Sequence, residues 1–145
     1  MEKNVVKNIL ADIDLRQNLI KLKGSMTAAD TLDGPIVEKL CDCLSHEDPK
    51  VRKNAALLLG YTKNSMMASV LLDAYKNEEK DFVKDAYLKG MSHYDCKPYI
   101  KELQEIQNEL MNSEVVDSKH IKAQLKVLNP MIRSYSYHRK KLIRI

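Results

Sequence analysis

Three segments of this chain can be laid over one another, and this internal repetition restricts the fold more than any other feature. The segments are residues 15–24, 51–60 and 82–90, separated by 36 and then 31 residues. Each places apolar residues at helical spacing and ends at a glycine. A period of this length indicates a solenoid of helix pairs, because one helix hairpin cannot bury its apolar stripe without neighbours.

Each copy is preceded by another helical pattern, and an eighth pattern, a fainter fourth copy, covers residues 121–128. We expect Asp14 and Asp48 to cap second helices, and Pro35 to open a first helix. Pro130 is predicted to stop the eighth helix. Only the last six residues alternate enough to suggest a strand. The sequence thus predicts an all-α domain over residues 1–129, followed by a basic tail or linker over 130–145.

The second copy resembles the short HEAT repeats of bacterial proteins. Asp48 is followed by Val51 and Arg52, then by small residues at Ala55 and Ala56, and the segment closes with a Leu-Gly pair at 59–60. The resemblance covers roughly residues 3–128. It implies a right-handed α-solenoid (superhelix) of about four helix pairs, with the second helices on the concave surface. It also implies a binding module, with no cofactor.

The composition suits a soluble intracellular domain. Charged residues make up 30% of the 145 residues and hydrophobic residues 44%, which excludes a disordered chain. Three cysteines, an odd number, argue against a disulfide framework. No leader pattern opens the chain and no apolar run is long enough for a membrane span. We therefore expect a cytoplasmic protein that does not contact membranes.

The charge is distributed unevenly along the chain. Residues 118–145 contain eight basic residues and no acidic one, whereas the part before them carries a net charge of −4. The four predicted first helices also sum to −4, and the four second helices to +8. Combined with the resemblance, this distribution predicts a basic concave surface.

A basic concave surface suits a nucleic-acid backbone, because Lys and Arg that contact phosphates release bound counterions and so favour binding. Tyr135 and Tyr137 lie among basic residues, where they could stack on unpaired bases. An acidic protein partner is the alternative, and the preference for nucleic acid is slight. The predicted contacts are Arg16, Lys21, Arg52, Lys53, Lys84, Lys119, Lys122, Arg133, Tyr135, Arg139, Lys140 and Lys141.

Catalytic and metal-binding patterns are weak. Cys41, Cys43 and His46 superficially resemble zinc ligands, as do His93 and Cys96. Residues two apart on a helix point about 200° apart, so the first two cysteines cannot easily reach one ion. HEAT-like alkylpurine DNA glycosylases use tryptophan in their cleft, and this chain has none. We predict neither an enzyme nor a metal site.

The apolar end of the chain suggests a missing neighbour. One hypothesis is that these residues form the leading part of a longer protein. A HEAT-like region before a basic linker resembles the first domain of some bacterial RNA-modifying methyltransferases. The alternative is a complete small adaptor whose tail folds back on the last repeat.

Overall fold

The computed structural model describes residues 3–114 and 118–143, and their regular structure is entirely helical. Short 3₁₀ turns lie at Leu59–Tyr61 and Lys97–Tyr99. The predicted all-α fold is thereby confirmed. The helices are α1 (Lys3–Leu10), α2 (Leu15–Ser25), α3 (Pro35–Cys43), α4 (Pro49–Leu58), α5 (Met66–Asn77), α6 (Asp81–Met91), α7 (Ile100–Met111) and α8 (Lys119–Ile143).

The helices divide into two compact units, residues 1–94 and residues 95–145. The first unit contains three hairpins, formed by α1 with α2, α3 with α4, and α5 with α6. Helix α2 packs on α4 and α4 packs on α6, so the second helices form a continuous row. The first unit is therefore an α-solenoid of three repeats. The fourth helix pair, α7 and α8, forms the second unit.

Helix α4 is at the centre of the row, and its small residues are buried. Ala55 and Ala56 are both 0% exposed. Next to them, Gly90 of α6 comes so close that an added Cβ would lie 2.7 Å from the Ala56 carbonyl oxygen and 2.9 Å from Leu71 Cδ1. The backbones of α4 and α6 can approach this closely only because both helices carry small residues at the crossing.

Burial corrects the predicted register of the third repeat. The sequence pattern placed Phe82 over Val51, but Val83 is the residue that is buried as deeply as Val51. The starts of α4 and α6 are likewise 32 residues apart rather than 31. Gly90 is therefore equivalent to Leu58 rather than to Gly60, which explains its apparently early position. It is a close-packing glycine and not a helix stop.

The two predicted aspartate caps have different outcomes. The Asp48 side chain accepts a hydrogen bond from Lys50 N at 2.9 Å, which confirms the cap of α4. Asp14 makes no such bond, and its backbone is left-handed with φ 39°. Buried Asn18 instead donates from Nδ2 to the Ile13 carbonyl at 2.8 Å, which ties the α1–α2 turn to α2. The predicted Asp14 cap is therefore wrong.

The second unit corrects the predicted end of the eighth helix. Pro130 lies inside α8, which continues to Ile143. Proline removes one backbone donor, but the apolar residues on either side of it are buried, so packing outweighs the lost bond. Residues 141–143 are helical and not a strand. Whether residues 130–145 lead to a further domain stays a prediction. Among the side chains that the structure describes in this hairpin, the buried apolar ones are Leu103, Ile106, Ile121, Leu128 and Ile132.

Replacing Gly90 with Ala tests the close crossing of α4 and α6. Gly24 is the matched control, since it lies in α2 and an added Cβ there meets nothing within 4 Å. Helix propensity favours Ala equally at both sites, but Gly90→Ala forces the backbone of α4 to shift. We expect Gly90→Ala to be less stable than Gly24→Ala by about 1–3 kcal/mol in urea unfolding. Equal stabilities would contradict the crossing.

Candidate partner-binding surface

The row of second helices presents one exposed stripe per helix in the first unit. Leu15, Asn18, Leu19 and Leu22 of α2 are buried, so the residues between them face water. The same alternation holds along α4 and α6. We call the exposed or half-buried residues of the three stripes the second-helix surface: Arg16, Gln17, Ile20, Lys21, Lys23, Lys50, Lys53, Leu57, Asp81, Phe82, Asp85 and Lys89.

The charges of lysines from three consecutive repeats act on one another on this surface. Burial lowers the pKa of Lys23, and the positive charges of Lys53 and Lys89 lower it further. Each of these lysines comes from a different second helix, and like charges at close range repel one another. Positive charge from three second helices therefore acts on one part of this surface, where Asp81 and Asp85 of α6 are the acidic residues.

Asn54 holds Lys23 in position. Its buried side chain accepts a hydrogen bond from Lys23 Nζ at 3.0 Å. The Asn54 amide nitrogen in turn donates to the Lys50 carbonyl at 2.9 Å, which fixes the orientation of the side chain. Because Lys23 is on α2 and Asn54 on α4, this contact also joins the first two repeats.

Arg52, one of the predicted contacts, is engaged by hydrogen bonds inside the protein. Its guanidinium donates to both carboxylate oxygens of Glu78, from Nε at 2.8 Å and from Nη2 at 2.9 Å. Its Nη1 donates to the His46 carbonyl at 2.9 Å. The side chain is only 16% exposed. Arg52 therefore joins the second repeat to the third, and the structure does not support the prediction that it faces a partner.

Glu78, the partner of Arg52, lies in the turn before α6. Its side chain is 4% exposed and also accepts hydrogen bonds from Tyr87 Oη at 3.0 Å and from Lys80 N at 3.1 Å. Burial alone would raise the pKa of the Glu78 carboxyl, but the hydrogen bonds and the charge of Arg52 outweigh it and hold the pKa below its usual range. Burial and the neighbouring carboxylate raise the pKa of Tyr87.

The other predicted contacts in the first unit differ in their exposure and in whether they have a partner within the protein. Lys21 is exposed and Lys53 is half-buried. Arg16 is 44% exposed and lies 3.9 Å from Asp48, a weak ion pair. Lys84 is placed over the ring of Tyr75, with Nζ 5.5 Å from the centroid, so part of its charge is engaged by α5.

In the second unit, Lys119, Lys122 and Arg133 are exposed on α8. Tyr135 is half-buried, and its hydroxyl accepts a hydrogen bond from Cys96 N at 2.7 Å. That bond fixes the phenol within the hairpin, so the structure does not support its use as a stacking platform. The side chains of Tyr137, Arg139, Lys140 and Lys141 lie outside the described residues.

The cysteines behave as small apolar residues. Burial raises the pKa of the thiols of Cys43 and Cys96 to about 11, and that of Cys41 is also raised by burial. The Cys41 Sγ lies 3.8 Å from Met67 Sδ. Among the residues that the structure describes, no three His, Cys, Asp or Glu side chains are placed to hold one metal ion.

An open cleft of about 420 Å³ lies beside the Arg52–Glu78 pair. Arg52 and Glu78, which line it, are already hydrogen-bonded to each other. Its other walls are formed by α3, α5 and the turn before α6, with Ser45, Asp73 and Asn77 among the lining residues. This mixed lining shows no set of converging groups that would define a ligand.

Sequence reasoning missed Lys23, Lys89 and Asn54. The resemblance drew attention to the start of each second helix, where Arg52 and Lys84 lie. Lys23 and Lys89 lie near the ends of their helices. A lysine in the last turn of both α2 and α6 is visible in the sequence, but its approach to Lys53 depends on how the helices cross.

Comparison with known protein families gives one match. A model of HEAT repeats matches residues 5–109. No significant match is found among curated proteins or among solved structures. Within residues 3–114 and 118–143, no helix combines the length and the apolar character that crossing a bilayer requires.

Replacing Arg52 with Met tests the junction between the second and third repeats. The change leaves the Glu78 carboxylate buried without its cation, and we expect a loss of about 3 kcal/mol in the free energy of unfolding at pH 7. Arg16→Met is the matched control, because its exposed pair with Asp48 should contribute less than about 0.5 kcal/mol.

The difference in unfolding free energy between wild type and Arg52→Met should depend on pH, and the lowered pKa of Glu78 gives its sign. Because the pKa of Glu78 is lowered in the folded protein, its stabilisation is present above the unfolded value of about 4.3 and is lost as pH falls through the folded value. Without Arg52, burial favours the neutral acid. As pH falls, the stability gap between wild type and Arg52→Met should therefore begin to narrow above about 4.3, where the variant's Glu78 is protonated, and should narrow further as pH falls through the lowered pKa of the wild type. A constant gap in urea unfolding would contradict the junction.

Proposed function

Because this chain belongs to the HEAT-repeat family, we propose that it is a non-catalytic binding module whose second-helix surface binds an acidic segment of another protein. HEAT repeats form helical binding modules, generally for protein partners. The observation that carries the proposal is that Lys23 of α2 reaches Asn54 of α4, the neighbour of Lys53, where the charges of Lys53 and Lys89 both act on it. A carboxylate-rich partner would relieve their mutual repulsion.

Apolar residues accompany these lysines on the same stripes. Ile20 is 40% exposed and lies one turn before Lys23 on α2. Leu57 follows Lys53 by four residues on α4, and Phe82 precedes Lys89 by two turns on α6, both half-buried. Residues at these spacings share one helix face. Exposed apolar groups beside cations fit an amphipathic acidic helix, whose apolar side chains would bury against them.

These features favour an acidic protein over nucleic acid on this surface. Arg52 is held by Glu78, and Lys84 lies over Tyr75, so two of the predicted phosphate contacts have other roles. A phosphodiester backbone also offers no apolar group for Ile20 or Leu57. We therefore propose that the second-helix surface binds an acidic, amphipathic segment of another protein in the cytoplasm.

The proposal is tested with a synthetic helical peptide that carries Leu at i, i+4 and i+7 and Glu at most other positions. Isothermal titration calorimetry of the full chain should detect binding. We expect Lys53→Glu combined with Lys89→Glu to weaken it by about tenfold or more, since the charges lie in the contact. Lys7→Glu combined with Lys63→Glu changes the net charge equally at exposed sites off this surface, and should bind like wild type.

A peptide with Glu retained and Leu replaced by Gln should bind more weakly, because the apolar contacts are lost. Equal loss in the two double variants would show that only net charge matters. That result, or no binding of the Leu-containing peptide, would exclude the proposed site.

A further inference from the structure

Helix α8 carries a second cationic surface, in the unit formed by residues 95–145. Four of its basic residues are exposed, and we call them the α8 stripe: Lys119, Lys122, Lys126 and Arg133. The opposite face of α8 is used by the fold, since Ile121, Leu128 and Ile132 are buried and the helix packs on α7. The stripe is therefore the face that α8 presents to solvent.

The stripe is a linear array of charge. Lys119, Lys126 and Arg133 are seven residues apart, which places successive members within about 20° of the same direction. At 1.5 Å of rise per residue, the three charges recur about every 10 Å over about 21 Å of helix. Lys122 lies between the first two, displaced by about 60°.

The fold itself gives this array no counter-charge within α8. Residues 118–145 contain no acidic residue. Among the described side chains, no ion pair joins an acidic group to any member of the stripe. Like charges at helical spacing destabilise a helix. Four cations on one side of a helix that has no acidic residue of its own form a surface to which an external polyanion is attracted.

The residues around the α8 stripe indicate which class of polyanion it can bind. The apolar face of α8 is buried, so the helix cannot insert into a lipid surface. Among the fully exposed positions between these basic residues, only Pro130 is apolar, and the half-buried apolar positions are Ala123, Leu125, Val127 and Met131. Proteins that bind single strands add aromatic platforms, whereas Tyr135 is bound to Cys96 N. A row of cations alone fits a regular phosphate backbone.

We propose that the α8 stripe binds the phosphodiester backbone of a nucleic-acid duplex without reading its sequence. The inference is independent of the function proposed for the second-helix surface, because the residues belong to different helices and different units. Four phosphate contacts predict a slope of log affinity against log salt of about −3.6. Affinity should then fall about 150-fold between about 50 and about 200 mM salt.

The test measures fluorescence anisotropy of labelled duplexes of about 20 base pairs, one of DNA and one of RNA, titrated with the full chain at several salt concentrations. Lys122→Gln combined with Lys126→Gln should reduce the slope by about 1.8 on at least one of the two duplexes. Lys97→Gln combined with Lys101→Gln removes the same charge from exposed sites before and on α7, and should leave the slope unchanged. Circular dichroism checks that each variant remains helical.

Several outcomes would overturn the proposal. They are a failure of the chain to bind either duplex, an equal reduction in slope in both double variants, or a higher affinity for a matched single strand. A change in the sedimentation of the stripe variant without nucleic acid would instead assign the stripe to self-association with the acidic α7 of a second copy. Retained duplex binding by Lys53→Glu with Lys89→Glu separates this proposal from the protein-binding one.

Discussion

The close crossing of α4 and α6 is the contact on which the first unit depends. Ala56 and Gly90 bring the two backbones together, and each second helix then buries its apolar stripe against its neighbours. No single hairpin could do this, because its stripe would remain in water. The first helix of the same hairpin and the neighbouring second helices cover most of each second helix. The remaining face is in contact with solvent and can carry the charge that a partner recognises.

Charge inside the row has a different role from charge on its surface. Arg52 and Glu78 are both withdrawn from water, and a buried pair of this kind offsets its desolvation only when the remaining hydrogen bonds are satisfied. Here the carboxylate also accepts from Tyr87 and a backbone N–H, and the guanidinium reaches the His46 carbonyl. The pair therefore fixes the turns before α4 and α6 relative to each other, and it is not available to a partner.

The two cationic surfaces differ in what accompanies the charge. On the second-helix surface, Ile20 is exposed on the same stripe as Lys23, whereas the fully exposed positions around the α8 stripe are polar apart from Pro130. An exposed apolar neighbour favours a partner that can bury side chains, and a row of cations among polar residues favours one that offers phosphate charge. Taken together, the two proposals describe a scaffold that holds an acidic protein segment and a nucleic-acid duplex on separate helices.

The sequence by itself determined the all-α repeat fold, the Asp48 cap and the basic character of the second helices, because helical spacing and capping depend on residues that are close along the chain. It did not determine the register of the third repeat, the passage of α8 through Pro130, or the partner of Arg52. Those depend on which surfaces helices far apart in sequence present to one another. Tertiary packing alone decided that Arg52 joins two repeats, and that Lys23 lies where the charges of Lys53 and Lys89 act on it.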